Sequence, residues 1–270
     1  MKQITSTESK KIMLDILDDV TTFCNQHSIT YFLSCGTLIG AIRHQGFIPW
    51  DDDIDIMMPR EDYNKFISLY RQTGKYTLST PTDRTCFYLW TKAYDPNTIK
   101  IEEGIDYSIY PHIGIDIDIF PLDGLPDHQH NLRYKIATNY RNIISTLFQY
   151  AVSSTSYRTW KGIALIYFSR IIGTKNLKRL YINSAQKYAY KDSNMVGYCD
   201  PFAWKKYHDR HQKVLFESSV LVKFEGKSYC APNGYDEYLS DIYGNYMQLP
   251  PVEQQITHHK NQIYWKKNYK

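Results

Sequence analysis

Residues 31–60 read YFLSCGTLIGAIRHQGFIPWDDDIDIMMPR, and the acids in the second half of that stretch decide the fold. Asp53-Ile54-Asp55-Ile56-Met57 alternates strictly, which predicts a strand. Side chains two apart in a strand point the same way, so Asp53 and Asp55 share one face and the isoleucines the other. Two neighbouring carboxylates repel, and a half-buried sheet surface holds them most readily around a cation. Carboxylate oxygens suit Mg²⁺, which keeps its remaining positions for water and phosphate oxygens. A simple acidic turn would not need Asp at both same-face positions. An EF-hand is excluded, because its glycine and glutamate positions hold Ile56 and Asp62.

Working outward, Tyr31-Phe32-Leu33 predicts a short apolar strand, and Gly36-Thr37 opens a helix over Leu38–His44. A helix start offers unpaired N–H groups and partial positive charge, a place for phosphate, with Arg43 as a further phosphate contact. A phosphate cradle beside paired carboxylates is the arrangement of nucleotidyl and phosphoryl transfer. A second alternation, Ile113 to Phe120, puts Asp116 and Asp118 on one face. Aspartates at successive same-face positions have low strand propensity, and proximity to the Asp53/Asp55 pair supplies the reason for them.

The stretch GTLIGAIRHQGFIPWDDDIDI (residues 36–56) resembles the signature of the LicD family of phosphocholine transferases, which is similar in turn to the fukutin-related ribitol-phosphate transferases. The resemblance extends to Lys92-Ala93-Tyr94-Asp95 with Thr98, to Asp118 through Gly124, and to Tyr243 through Met247 with Pro250-Pro251 and His258. It covers most of the chain in order, more loosely between about 130 and 215. It implies a Mg²⁺-dependent enzyme moving phosphocholine from CDP-choline to a hydroxyl of a cell-surface glycan, such as a teichoic-acid, lipopolysaccharide or capsule precursor. On this reading Asp53, Asp55 and Asp118 are catalytic and metal-binding, and the register of the motif favours Asp118 over Asp116 as acceptor base. Lys92, otherwise a solvated lysine, would contact phosphates, and His258 would line the site. Trp50 stacks on the base or the choline, or is core; Asp123 orders a turn over Pro121–Gly124. A choline headgroup favours an aromatic cage, but 25 tyrosines offer no basis for picking one. Ribitol or glycerol phosphate is the alternative cargo, and a non-catalytic glycan-binding module the alternative class.

Composition is that of an ordinary globular protein: 270 residues, 43% hydrophobic and 22% charged. MKQITSTESKK lacks the apolar centre of a signal peptide, and no run of 18 apolar residues exists. Five scattered cysteines without C-x-x-C spacing point to reduced thiols and a cytoplasmic setting. The fold class expected is α/β (α+β): a nucleotidyltransferase-like mixed sheet flanked by helices (1–129), a mainly helical basic insertion (130–213), and a C-terminal part completing the catalytic domain (214–270). Within the insertion Trp160–Ile172 is apolar nearly all round, which predicts a core helix, with a membrane-surface contact as the alternative. Between Asn131 and Lys213 fifteen Lys/Arg face three acids, a net +12 that leaves −8 elsewhere. Such a field suits a polyanionic, lipid-linked acceptor and the inner leaflet of the membrane rather than nucleic acid, with Lys175, Lys178 and Arg179 as surface candidates.

Overall fold

Helix α1 (Ser6–Gln26) starts where Thr5 and Glu8 cap each other reciprocally, a device worth about 1 kcal/mol. It buries Met13, Ile16, Leu17, Val20, Phe23 and Cys24 along one face. The chain continues through β1 (Phe32–Leu33), α2 (Cys35–His44), β2 (Asp55–Pro59), α3 (Arg60–Thr73), β3 (Thr77–Ser79), β4 (Thr91–Tyr94), β5 (Thr98–Ile101) and β6 (Asp116–Leu125). Three helices follow, α4 (Leu132–Val152), α5 (Trp160–Ile172) and α6 (Thr174–Ala185). Strands β7 (Met195–Tyr198) and β8 (His211–Gln212), the hairpin β9 (Ser219–Phe224) and β10 (Lys227–Pro232), helix α7 (Tyr235–Tyr243) and β11 (Gln262–Trp265) complete it. This computed structural model describes residues 1–105, 107, 110–127, 132–153, 159–198, 210–257 and 261–266. The chain is thus mixed α and β, as expected, and no described helix is long and apolar enough to cross a membrane.

The main sheet runs β1-β2-β6-β4-β3, with β7 on β6 and β8 on β7. Strand β6 organises it: β2 lies parallel along one edge, and the other edge meets β4 at Asp116–Ile119 and β7 at Leu122–Leu125. A proline inside a central strand normally forfeits a ladder bond. Here Asp118 donates its N–H to the Ile54 carbonyl at 2.8 Å, so by alternation the Pro121 nitrogen faces the opposite edge, in the gap between β4 and β7. The strand therefore runs on through Asp123, correcting the expected turn. Asp123 is buried and bidentate with Arg60 at the start of α3, both contacts 2.6 Å. Burial pushes its carboxyl up, against the pull of that guanidinium. A second expectation also changes: β2 begins at Asp55, so Asp53 sits in the loop ahead of it.

Two apolar clusters form. The larger joins α1, α2, α3, the sheet and the C-terminal elements; the smaller packs Ile144, Phe148, Ala151 and Val152 of α4 and Leu177 and Tyr181 of α6 against Cys86–Leu89. The expected core helix is not one: α5 leaves Trp160 75%, Tyr167 67% and Ile171 83% exposed, because only Gly162 and Ser169 on its opposite face are buried. The basic insertion is also less of a surface than its charge suggests. Arg141 is buried and donates to Ser184, and Lys178, 3% exposed, donates to the carbonyls of Asp83 and Cys86. Lys178 therefore drops out as a surface candidate, while Lys175 and Arg179 are exposed. Arg158, Lys205 and Lys206 lie outside the described residues.

Candidate active site

The β2–β6–β4 register brings the acids together. Asp118 stands directly opposite Asp55 on one side and Lys92 on the other. Asp116, two residues back on the same face, lies opposite Tyr94. Lys92 is buried, its ammonium 3.0 Å from Asp116 Oδ1 and in contact with Asp118 Oδ1. Burial lowers that ammonium's pKa, but the two aspartates outweigh it and carry the group well above its ordinary value. Lys100 of β5 adds a second buried cation, touching Asp116 Oδ2 and lying 2.8 Å from Glu102. Burial raises the Glu102 carboxyl, yet Lys100 and Lys92 hold it down at about 2.

Three other carboxylates are shifted in the opposite direction, burial being the largest cause in each. Burial, with repulsion from Asp53, pushes Asp51 up to about 8. Burial, then Asp53, Asp118 and Asp51, raise Asp55 well above the usual range. Asp118 is pushed up to about 6 by burial, with Lys92 opposing and Asp116 reinforcing. Asp51 and Asp118 border a cleft of about 890 Å³, lined by seven carboxylates (Asp51, Asp52, Asp53, Glu102, Glu103, Asp116, Asp118) against three lysines (Lys10, Lys92, Lys100), while Asp55 stands behind that lining, opposite Asp118 in the sheet. A negative excess of that size, with three pKa values raised, is an arrangement that a divalent cation would relieve. Among the described residues no three His, Cys, Asp or Glu side chains are grouped so as to hold a metal ion. Mg²⁺ commonly takes only one or two carboxylates and leaves its other positions to water and phosphate.

Other expected site residues lie elsewhere. Gly36 and Thr37 fall in the first turn of α2 but are not part of the cleft lining. A Cβ on Gly36 would lie 2.5 Å from Asp51 Oδ2, so the glycine admits that carboxylate to the helix start. Thr37 Oγ1 accepts from the Asp55 N–H at 2.8 Å. The turn therefore positions the acids. Arg43 donates to the carbonyls of Tyr246 at 2.6 Å and Gln248 at 3.3 Å, tying α2 to the C-terminal segment. Trp50 packs on the main core. His258 and its neighbour His259 lie outside the described residues.

The structure adds what the sequence did not single out: Lys100, Glu102 and a row of aromatic rings. Tyr88, Trp90, Phe120 and Tyr198 follow one another at centroid separations of 5.4, 5.5 and 4.3 Å. Tyr88 and Trp90 line the cleft, and Trp90, Phe120 and Tyr198 line a neighbouring pocket of about 210 Å³. The Lys92 ammonium lies 4.4 Å from the Tyr88 ring centroid, so this ring already faces a cation. Thr98-Ile99-Lys100-Ile101 was the available signal for Lys100, since Lys100 shares its strand face with buried Thr98.

The family described as LicD/FKTN/FKRP, nucleotidyltransferase domain, matches residues 28–144, the span from β1 to the middle of α4. Lipopolysaccharide cholinephosphotransferase LicD of Haemophilus influenzae is 33% identical over 98% of this chain and 99% of its own. The ribitol 5-phosphate transferase FKRP of human and mouse is 27% identical over 39% of this chain and 21% of its own.

Proposed function

The chain belongs to the LicD/FKTN/FKRP nucleotidyltransferase family, and on that premise we propose that it transfers phosphocholine from CDP-choline to a hydroxyl of a cell-surface glycan, releasing CMP. The observation that carries this reading is Asp118 set directly between Asp55 and Lys92 at the wall of an acid-rich cleft. Likeness along the full chain to a cholinephosphotransferase supports choline as cargo over ribitol, for which the likeness covers 39% of the chain. The aromatic row ending at the cleft supports it too, because quaternary ammonium groups bind aromatic faces. The scattered cysteines suit a cytoplasmic reaction.

In this reading the acceptor oxygen forms a bond to the choline-bearing phosphorus while the bond from that phosphorus to CMP breaks. The acceptor proton passes to the Asp118 carboxylate, whose raised pKa of about 6 suits a base working near neutrality. Lys92 keeps that carboxylate in place, and Lys100 holds Asp116. Asp53 and Asp55 would hold Mg²⁺, which when bound offsets the charge of the diphosphate and of departing CMP. Trp90 and Tyr88 would flank the headgroup.

Supplying CDP-choline, CDP-ribitol and CDP-glycerol in turn with a surface-glycan acceptor, and weighing the products, tests the cargo. Choline should transfer best, and preferential transfer of another alcohol would overturn that part of the reading. Asp118→Asn should slow single-turnover transfer by about 10² to 10⁴ while CDP-choline binding by calorimetry changes little. Collapse of donor binding instead would make Asp118 chiefly a metal ligand.

A further inference from the structure

The outer face of α4 and α5 is apolar, bordered on α5 by basic side chains, and exposed with no described residue against it. On a helix turning about 100° per residue, the exposed Trp160, Ile163, Tyr167, Phe168 and Ile171 form one stripe of α5. Lys161 and Arg170, both exposed, fall at the two borders of that stripe. Beside it, α4 turns Leu132, Ile136, Tyr140 and Ile143 outward, 44–70% exposed. Neither helix contains an Asp or Glu.

We propose that this face docks on an anionic lipid bilayer, lying in its surface. Thirteen residues of α5 are too few to span one. The pattern is that of an interfacial helix: a Trp, a Tyr, a Phe and isoleucines enter the boundary, while border lysine and arginine reach up to phosphate headgroups. The charge pattern favours this occupant over a second copy of the chain, because two such faces meeting would set like charges together with no acid to pair them. Attraction to an anionic leaflet has no such conflict. The placement also has a functional sense. The inner face of α4 packs Ile144, Phe148 and Val152 on the segment carrying Tyr88, which lines the cleft, so a docked α4 would hold that cleft near a lipid-linked acceptor.

The test uses the full chain with vesicles of phosphatidylcholine alone or with one third phosphatidylglycerol. The chain should sediment with the anionic vesicles, about tenfold more strongly than with neutral ones, and less so as salt rises. Its tryptophan emission should shift to the blue, and Trp160→Phe should remove most of that shift. The exposed pair Phe168→Gln/Ile171→Gln should weaken vesicle binding about tenfold or more while leaving the melting curve unchanged. The proposal fails if the wild type stays in solution beside anionic vesicles, or if the double variant sediments equally well. It fails also if sedimentation velocity without lipid reveals a dimer that the double variant dissolves, since a second copy would then cover the face. None of these readouts depends on the transfer reaction.

Discussion

Asp55→Asn should lower phosphocholine transfer by about 10³ or more while leaving the fold as stable as before or more so. The two effects share one cause. Asp55 stands opposite Asp118 in the sheet, and burial together with Asp53, Asp118 and Asp51 raises its pKa well above 3.8. A carboxyl whose folded pKa exceeds its unfolded one binds more protons in the folded state. Its contribution to stability is therefore present below about pH 4 and is lost as pH rises through the folded value. Asparagine carries no such loss, so the variant's melting temperature should gain on the wild type as pH increases. Mg²⁺ should raise the melting temperature of the wild type, since it binds the folded state, and should do so much less for the variant. Asp53→Asn should share the loss of turnover. Near-normal Mg²⁺-dependent activity in either variant would refute the role given to the pair.

Lys92→Met should act on the fold itself. Its ammonium joins Asp116 and Asp118, with side-chain exposures of 6%, 5% and 13%, and the three stand on adjacent strands at the centre of the sheet. Removing one partner of a buried ion pair commonly costs about 3–5 kcal/mol, because the remaining charge has lost its compensation. In a chain of this size that corresponds to a drop in melting temperature of roughly 6–20 °C. Lys100 still serves Asp116, so the stranded charge is chiefly Asp118. Adding Asp118→Asn to Lys92→Met should therefore recover a large part of the stability, and a double-mutant cycle measures the coupling. A single variant melting within a degree of wild type would show that the lysine is not holding these acids.

The alternation of charge and isoleucine made the central site legible in the sequence. A period of two fixes which side chains share a face, which is why β2 and β6 could be read as neighbours; it holds for Asp116 and Asp118 on β6, whereas Asp53 precedes β2 and Asp116 proves to be ion-paired with Lys92 and Lys100. What could not be read was set by pairing across long separations. Lys92 was expected to reach phosphate or solvent, but its place beside Asp118 follows from the register of β4 on β6. Lys100 joins the site only because β5 brings it to Asp116. Arg43 and the Gly36-Thr37 turn looked like phosphate ligands because a helix start and a cation have that chemistry in isolation. In the fold Tyr246, Gln248, Asp51 and the Asp55 N–H meet them first. Helix α5 was misread for a related reason. Composition says that a helix is apolar all round, and only packing reveals that one side has no described residue against it.

The central claim is that the acid cleft transfers phosphocholine from a cytidine diphosphate donor. Phosphorus NMR of the wild type with CDP-choline, Mg²⁺ and a lipopolysaccharide or teichoic-acid acceptor tests it most directly. The account predicts loss of the diphosphate signals, equal growth of CMP and of a phosphodiester on the glycan, and arrest of both by a chelator or by Asp55→Asn. Persistence of intact CDP-choline beside active-condition controls, or CMP release with no phosphodiester on any glycan supplied, would contradict it.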